Sequence, residues 1–313
     1  MLHHTAATQN GGARRIRVRI WRNRYVYLMV LPVVAYLFLF KYMPLWFLRI
    51  AWYDYKLLPG FEGSKYVGWK FFERLLANPN LLDYIGNTLW LNLWALLLLF
   101  PAPLIFAVLL NELRGNLFKR TLQTVSYLPH FVSTVVLVSI ITTFCSPSIG
   151  SLATLTKALG GTPMDFLSIP RYFVPVNVIS GFWQCVGWDA VIYIAALSSI
   201  DQTLYEAARI DGAGRLRQTL HVTLPGLSST FVILLIMQIG QILNVNFEKV
   251  YLLQNNLNLS ASEMLPTFVY KTGMVSRNYS YATAAGMLNS LMSVVLVFGA
   301  NMISRRVSDT SLF

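Results

Sequence analysis

Six apolar runs, each about 20 residues long, constrain the fold of this chain more than any other feature. A run of this length crosses the hydrocarbon core of a bilayer as one α-helix. Barrel strands are excluded, because they alternate apolar and polar residues whereas these runs are uniformly apolar. The sequence therefore predicts an all-α integral membrane fold with six transmembrane helices. The predicted spans cover residues 25–48, 84–110, 128–145, 173–199, 226–246 and 279–303.

The composition agrees with a chain that lipid covers in part. Only 12% of the residues are charged, against about 25% in a typical soluble domain. The net charge of +12 does not indicate a nucleic-acid site, because the arginines cluster at the ends of the apolar runs. Cys145 and Cys185 lie inside such runs, where cysteine usually acts as a small packing residue. The N-terminus lacks a clear cleavage site, so we expect the first span to remain as an anchor.

Basic residues set the predicted orientation. Six arginines lie between residues 14 and 24, and further Lys and Arg residues follow spans two, four and six. With six spans these regions share one side, which we predict to be cytoplasmic together with both termini. The predicted layout is a basic N-terminal segment (1–24), a six-helix transmembrane domain (25–304) and a short tail (305–313).

The loop between spans four and five, residues 200–225, is predicted to be structured. Thr203 and Glu206 have the spacing of a capping box, so we expect a helix from about Leu204. A helix in a connecting loop indicates that the loop has a role beyond joining the two spans.

Glycines in this loop favour a sharp turn after the first helix. Gly212 and Gly214 permit the turn, and a second short helix is expected over residues 215–221, ended by Pro225. The residues alone leave two roles open, a docking site for a soluble partner and a hairpin lying on the membrane surface.

The same loop resembles the EAA signature of binding-protein-dependent ABC importer permeases. That signature is Glu-Ala-Ala, three residues, Gly, nine residues, an aliphatic residue, any residue and Leu-Pro. The sequence matches every spacing, with Val222 where the family more often has Ile. The segments 40–68, 87–88 and 127–129 also resemble the oligo- or polysaccharide branch, including alginate-type importers. The predicted ATPase-coupling residues are Glu206, Ala207, Ala208, Asp211, Gly212, Ala213 and Pro225.

The resemblance implies a type I ABC importer permease in a bacterial cytoplasmic (inner) membrane. It implies four partners: a second homologous permease, two ATPase subunits, an extracytoplasmic solute-binding protein and an oligosaccharide. Glu206 would make a polar contact with the ATPase, and Gly212 would form the turn. The chain has no Gly-x-x-x-x-Gly-Lys loop for nucleotide phosphates. We therefore expect no catalytic residue, metal site or cofactor here, with ATP and Mg²⁺ acting on the partner ATPases.

Polar and aromatic side chains within the spans form a predicted substrate path. Polar groups are costly in a bilayer and usually face a cavity or another helix. Amides bind sugar hydroxyls and aromatic faces stack on sugar rings, but joining helices is the alternative role. For Asp189 we favour helix packing or gating. The candidates are Trp183, Gln184 and Asp189 in span four, and Gln238, Gln241 and Asn244 in span five.

Other functions remain open at this point. A peptide-type ABC permease is one, although segment 40–68 argues against it. A membrane enzyme acting on glycans is another, but His130 and His221 are isolated and no paired carboxylates appear. A membrane scaffold is a third.

Only Lys41 lies within a predicted span, so an acidic sugar such as alginate is indicated by the resemblance alone. We expect the outward loops 49–83, 146–172 and 247–278 to dock the binding protein.

Overall fold

The computed structural model describes residues 21–113, 115–241, 243 and 246–307, with the backbone alone described at residues 300 and 303–307. Contacts divide the chain into two compact units, Met1–Gly68 and Trp69–Phe313. Among the described residues, five helices are long and apolar enough to cross a membrane, or six if a bent pair is one span. The predicted helical membrane fold is therefore confirmed.

The first unit is a long helix followed by a small hairpin. Helix α1 (Arg24–Leu37) continues through a π-helical turn (Phe38–Tyr42) and 3-10 turns (Met43–Trp52). None of the α1 residues is buried, and most of them are apolar, as is typical of a helix in contact with lipid. The antiparallel strands β1 (Tyr53–Lys56) and β2 (Gly60–Tyr66) follow, and the sequence did not predict them.

The regular secondary structure of the second unit is helical in all of its described residues. In chain order its α-helices are α2 (Lys70–Leu76), α3 (Leu81–Leu99), α4 (Pro101–Glu112), α5 (Asn116–Tyr127), α6 (Thr134–Cys145), α7 (Ser151–Ala158), α8 (Pro170–Ser198), α9 (Gln202–Ile210), α10 (Arg215–Gln218), α11 (Leu224–Gln241), α12 (Phe247–Leu253), α13 (Leu259–Ser262), α14 (Leu265–Tyr270) and α15 (Tyr279–Val307). Spans four and six agree with the predicted boundaries within a few residues.

Helix α8 organises the core, because it belongs to two apolar clusters. Near its start, Phe173 packs with residues of α3, α6 and α12 such as Leu91, Leu137 and Val250. Nearer its end, Tyr193 packs in a cluster with Leu227 of α11. Helix α8 has 29 residues and is about 44 Å long at 1.5 Å per residue, so it connects the two apolar clusters.

The third predicted span, residues 128–145, is interrupted by a sharp bend, and the helical region that contains it begins earlier, at Asn116. The chain forms α5, a 3-10 turn at Leu128–Phe131, and then α6 at an angle of 97°. Pro129 lacks the N–H that a continuous helix needs. Ser133 starts a new helix by accepting a hydrogen bond from the Val136 N–H, with a Oγ–N distance of 3.4 Å. We call the stretch from residue 128 to 133 the helix break.

Candidate functional site

Residues 201–225 fold into two short helices joined by a turn, as predicted. Asp201 caps α9, with its Oδ1 accepting a hydrogen bond from the Thr203 N–H at 2.9 Å. This bond lowers the pKa of Asp201, because it stabilises the charged carboxylate. The predicted capping box of Thr203 and Glu206 is therefore wrong, and α9 begins at Gln202. The reason is that Asp caps a helix at least as well as Thr.

Backbone hydrogen bonds close the turn between α9 and α10. The Ala213 N–H donates to the Ala208 carbonyl at 2.9 Å, and the Gly212 N–H donates to the Arg209 carbonyl at 3.0 Å. This is the Schellman arrangement, which needs a left-handed residue after the helix. Gly212 supplies it with a φ of 74°. The Gln218 amide donates to the Ala213 carbonyl at 2.7 Å and fixes the turn to α10.

Pro225 does not end the second helix, contrary to the prediction. A π-helical turn (Thr219–Thr223) joins α10 to α11, and Pro225 lies in the first turn of α11. In the π-helical turn the Leu224 N–H donates to the Thr219 carbonyl, five residues back. A proline is tolerated in the first turn of a helix. The helical stretch therefore runs without interruption from Arg215 to Gln241.

The hairpin is anchored to the core of the second unit. The Tyr205 hydroxyl lies 3.0 Å from the Thr223 hydroxyl, and Thr223 is buried. Tyr205 and Val222 both pack against the apolar cluster that contains Tyr193 and Leu227. Movement of the hairpin is therefore mechanically linked to α8 and α11.

The outer face of the hairpin is exposed and combines small, apolar and acidic residues. Glu206 and Ala207 are exposed, and Ile210 and Leu216 are 86% and 73% exposed. Within the described part of the chain, Glu206 has no hydrogen-bond or ion-pair partner. The other predicted coupling residues lie in the same segment, exposed or half-buried: Ala208, Asp211, Gly212, Ala213 and Pro225.

A second feature is a cavity of about 340 Å³ between α3, α4, α8 and α11. Three of the predicted substrate-path residues line it, namely Asp189, Gln238 and Gln241. The lining also includes Tyr193, whose buried hydroxyl has no hydrogen-bond partner among the described residues. The cavity therefore presents carboxylate and amide groups together.

Two predicted path residues, Trp183 and Gln184, are not among the described residues that line this cavity. Trp183 is half exposed and does not line it. The Gln184 amide instead contacts the carbonyl of Val132 at 3.4 Å, at the helix break. Asn244 lies outside the described residues.

Lys249 is a buried cation that the sequence analysis did not single out. It lies on α12, outside the candidate spans, with 4% of its surface exposed. Its Nζ donates to the Asn177 carbonyl at 2.8 Å and lies 3.4 Å from the Ser180 hydroxyl. A Cβ on Gly181 would lie 3.2 Å from this Nζ, so the glycine leaves room for the lysine. Burial lowers the pKa of Lys249 to about 8.

The sequence carries weak signals for what was missed. Pro129 followed by Ser133 is a stop signal and then an N-cap signal inside an apolar run, so it could have predicted the helix break. Nothing in the sequence distinguishes Lys249 from a surface lysine after a span. Its burial depends on Gly181, which lies 68 positions earlier in the chain.

Comparison with known proteins supports the same interpretation. Residues 99–309 match the family described as "Binding-protein-dependent transport system inner membrane component". The chain is 42% identical over 292 residues to Protein LplB of Bacillus subtilis (strain 168), covering 93% of this chain and 92% of LplB. It is 39% identical over 300 residues to the polygalacturonan/rhamnogalacturonan transport system permease protein YteP of the same organism, covering 96% and 94%.

A solved structure agrees in fold. A chain of a bacterial ABC transporter involved in the import of the acidic polysaccharide alginate aligns with a TM-score of 0.87 at 33% identity. The alignment covers 94% of this chain and all of the other. The fold, the hairpin and these similarities show together that the chain belongs to the family of binding-protein-dependent transport system inner membrane components, as a permease subunit.

Proposed function

We propose that this chain is one of two membrane subunits of an ABC importer for oligosaccharides, and that ATPase subunits move it through the 201–225 hairpin. The observation that carries the proposal is the hairpin itself, in which Tyr205 packs against the apolar core while the face around Glu206 is exposed. A rigid, exposed element is suited to transmit force from another protein.

Docking on an ATPase would use the exposed carboxylate and the small residues beside it. Glu206 would pair with a donor on the ATPase, and Ala207 would allow close approach. ATP and Mg²⁺ would then act on the ATPase subunits, and their closure would move the hairpin as a rigid body.

The proposed orientation places the hairpin and both termini in the cytoplasm. It is supported by the arginines at residues 14–24 and by an even number of spans, with the bent pair counted as one. The hairpin follows α8 and so lies on the same side as the N-terminus.

The remaining proposed partners are a second permease subunit and a solute-binding protein outside the cytoplasm. The alginate transporter was also solved in complex with an alginate pentasaccharide-bound periplasmic protein, and its chain is 34% identical to this one with a TM-score of 0.87.

The proposed substrate is an oligosaccharide. The cavity lined by Asp189, Gln238 and Gln241 offers donors and acceptors for hydroxyl groups. The named function of YteP supports a polymer-derived sugar.

An acidic, alginate-type oligosaccharide is the narrower proposal. The buried Lys249 lies against Gly181, a residue that also lines the cavity. A positive charge attracts an anion more strongly in a medium of low dielectric constant. The buried Lys249 therefore supports an acidic sugar, which the sequence analysis supported by the resemblance alone.

The proposal is tested on the tagged chain purified with its native partners into lipid nanodiscs. We expect an ATPase and a second permease to co-purify, and ATP hydrolysis to rise when sugar-loaded binding protein is added. A complex that contains no nucleotide hydrolase would refute the proposal.

The choice of sugar is tested by uptake into vesicles that contain the assembled complex. We expect oligosaccharides of uronic acids to be imported in preference to neutral oligosaccharides of equal length. Equal import of both would refute the acidic-sugar proposal but leave the importer proposal standing.

A further inference from the structure

A groove with a volume of about 500 Å³ lies between α3 and α8 on the surface of the second unit. Trp90, Trp94 and Leu98 form one wall, and they lie one helical turn apart on one face of α3. Residues of α8 between positions 170 and 179 supply the other wall. From residue 87 to residue 98 the groove is about 16 Å long at 1.5 Å per residue. This length matches one leaflet of a bilayer, because the whole hydrocarbon core is about 30 Å thick.

The two walls run in the same direction, so the groove has two different ends. Leu91 of α3 packs in one apolar cluster with Phe173 of α8, and Leu99 of α3 lies beside Gly181 of α8. Both pairs are separated by 82 positions in the chain, as expected for helices packed in parallel. One end of the groove, which we call the mouth, therefore lies where α3 and α8 begin. The other end lies one leaflet deeper.

The groove is open to its surroundings along its length. Trp90 and Ile179 are 55% and 70% exposed, and Leu98 is 50% exposed. The indoles of Trp90 and Trp94 meet edge to face with their centroids 5.6 Å apart, so they form a continuous aromatic wall. Tryptophan is enriched where lipid headgroups meet the hydrocarbon core. The wall therefore has the composition of a surface near lipid headgroups.

The mouth of the groove is cationic, whereas the deeper end is apolar. Arg171 is exposed at the mouth, and its guanidinium donates a hydrogen bond to the Tyr172 hydroxyl at 2.6 Å. Within the described part of the chain Arg171 forms no ion pair with a carboxylate, although a guanidinium has five N–H donors. At the deeper end Leu98 and Ile179 offer only apolar surface. A ligand that fits this gradient has an anionic head and an apolar tail.

Two further features suit the mouth to a polar headgroup. The Asn87 amide donates to the carbonyls of Ser260 and Glu263 at 2.9 Å and 3.1 Å, which fixes the border of the mouth. Pro175 lies inside α8 and has no N–H, so the Arg171 carbonyl lacks the donor that a helix normally supplies four residues later. The mouth therefore offers a guanidinium for a phosphate and a carbonyl for a hydroxyl group.

We propose that the groove between α3 and α8 binds one anionic phospholipid such as phosphatidylglycerol. The Arg171 guanidinium would hold the phosphate with two parallel hydrogen bonds, and one acyl chain would lie along Trp94 and Ile179. A glycerol hydroxyl of the headgroup would donate to the Arg171 carbonyl. This inference rests on the proposed orientation, which places the mouth in the extracytoplasmic leaflet. It goes beyond the proposed function, because it assigns a ligand that is not transported.

The width of the groove favours a lipid chain over a helix of the second permease as the occupant. A volume of 500 Å³ spread over about 16 Å gives a cross-section of about 30 Å². A helix about 10 Å in diameter needs about 80 Å². A helix that rested on the rim would leave the groove unfilled, and it would cover Arg171 without supplying an anion unless it brought a carboxylate. Contact with another helix is an outcome of the test.

Photo-crosslinking in vesicles tests the proposal on the complex with its native partners. The vesicles contain phosphatidylcholine with a small share of phosphatidylglycerol, and either lipid carries a diazirine on one acyl chain. We expect the phosphatidylglycerol probe to label the peptides that cover residues 90–98 and 174–179 at least about tenfold more than the phosphatidylcholine probe does, the scale of a hydrogen bond to a charged group. The exposed apolar face of α15 around Val294 is the control surface and should not discriminate between the probes.

Two outcomes of this comparison would overturn the lipid site. Equal labelling of the groove by both probes would mean that it holds only the lipid of the bulk bilayer. No labelling of the groove by either probe would mean that a helix of another subunit covers it.

Substitutions separate the contribution of the headgroup from that of the chain. Arg171→Gln should lower phosphatidylglycerol labelling about tenfold, whereas Lys157→Gln, which removes an exposed cation outside the groove, should leave it unchanged. Ile179→Trp fills the deeper end and should remove most labelling by both probes. Equal effects of Arg171→Gln and Lys157→Gln would show that general surface charge attracts the lipid and would overturn the proposal.

Competition distinguishes a lipid headgroup from other anions. Inorganic phosphate in excess should leave labelling unchanged relative to chloride at equal ionic strength, because the acyl chain also anchors the lipid. Displacement of the probe by phosphate would make the mouth a site for a free anion, and displacement by sugar-loaded binding protein would assign the groove to sugar transport. Either result overturns the lipid site. A complex that contains no ATPase would instead refute the proposed function, and it would leave the labelling comparison intact.

Discussion

Replacement of Gly212 by alanine should loosen the hairpin through its backbone alone. Gly212 has a φ of 74°, and a Cβ built there meets no atom within 4 Å. The substitution therefore causes no steric clash. The left-handed conformation costs an L-residue about 1–2 kcal/mol. A change of this size shifts a local equilibrium about 5–30-fold.

Gly214 offers a matched control in the same turn. A Cβ there also meets nothing within 4 Å, but its φ is −67°, which every L-residue adopts readily. Gly214→Ala should thus be neutral or stabilise the hairpin by about 0.4–1 kcal/mol, because it restricts the unfolded chain. Gly212→Asn should fall between the two alanine variants, because Asn tolerates the left-handed region.

Hydrogen exchange measured by mass spectrometry on the assembled complex reports the loosening. The Ala213 N–H, which closes the turn, should exchange about 5–30-fold faster in Gly212→Ala. Sugar-stimulated ATP hydrolysis should fall in the same variant and remain normal in Gly214→Ala. If the two alanine variants exchanged at equal rates, the assignment of Gly212 as the conformational requirement of the hairpin would be refuted.

Three other perturbations test separate parts of the structure. Glu206→Lys should leave the fold intact, because the Glu206 side chain is exposed and has no ion-pair partner among the described residues. The variant should retain at least about tenfold less ATPase during purification. Full retention of the ATPase would contradict the docking role of Glu206. Gly187→Ala should reduce the folded yield, because its Cβ would clash with the Ser126 carbonyl, whereas Gly86→Ala has open space around it and should not. Equal yields of the two variants would contradict the close packing of α5 and α8. Burial lowers the pKa of Lys249 from 10.5 to about 8, so between these pH values the unfolded chain binds more protons than the folded chain. The thermal midpoint of the wild-type protein minus that of Lys249→Met should therefore rise with pH in this range. A difference that falls with pH would contradict the burial of Lys249.

The sequence predicted those parts of the fold that depend on local pattern. The length of the apolar runs predicted the spans, and Gly212 predicted the turn of the hairpin between α8 and α11. Helical periodicity predicted that Gln238 and Gln241 lie together, because residues three positions apart lie on one face of a helix.

Errors arose where two local signals competed or where distant residues met. Asp201 and Thr203 are both good N-caps, and the structure uses Asp201. Stacking of His130 on Trp188 brings the helix break against α8 from 58 positions away in the chain, which no periodicity reveals. The predicted domain boundaries stay predictions.

The uninterrupted helical stretch from Arg215 to Gln241 connects the hairpin to the cavity. Its 27 residues correspond to about 40 Å at 1.5 Å per residue. One end belongs to the proposed docking element, and the other carries the cavity-lining amides of Gln238 and Gln241. A proline that ended the second helix, as the sequence suggested, would have left a flexible joint between the two. Pro225 is instead accommodated within the helix, so a small rotation of the hairpin would displace the whole helix and with it the cavity amides. Helix α8 would follow because Tyr205 packs against the apolar cluster that contains Tyr193.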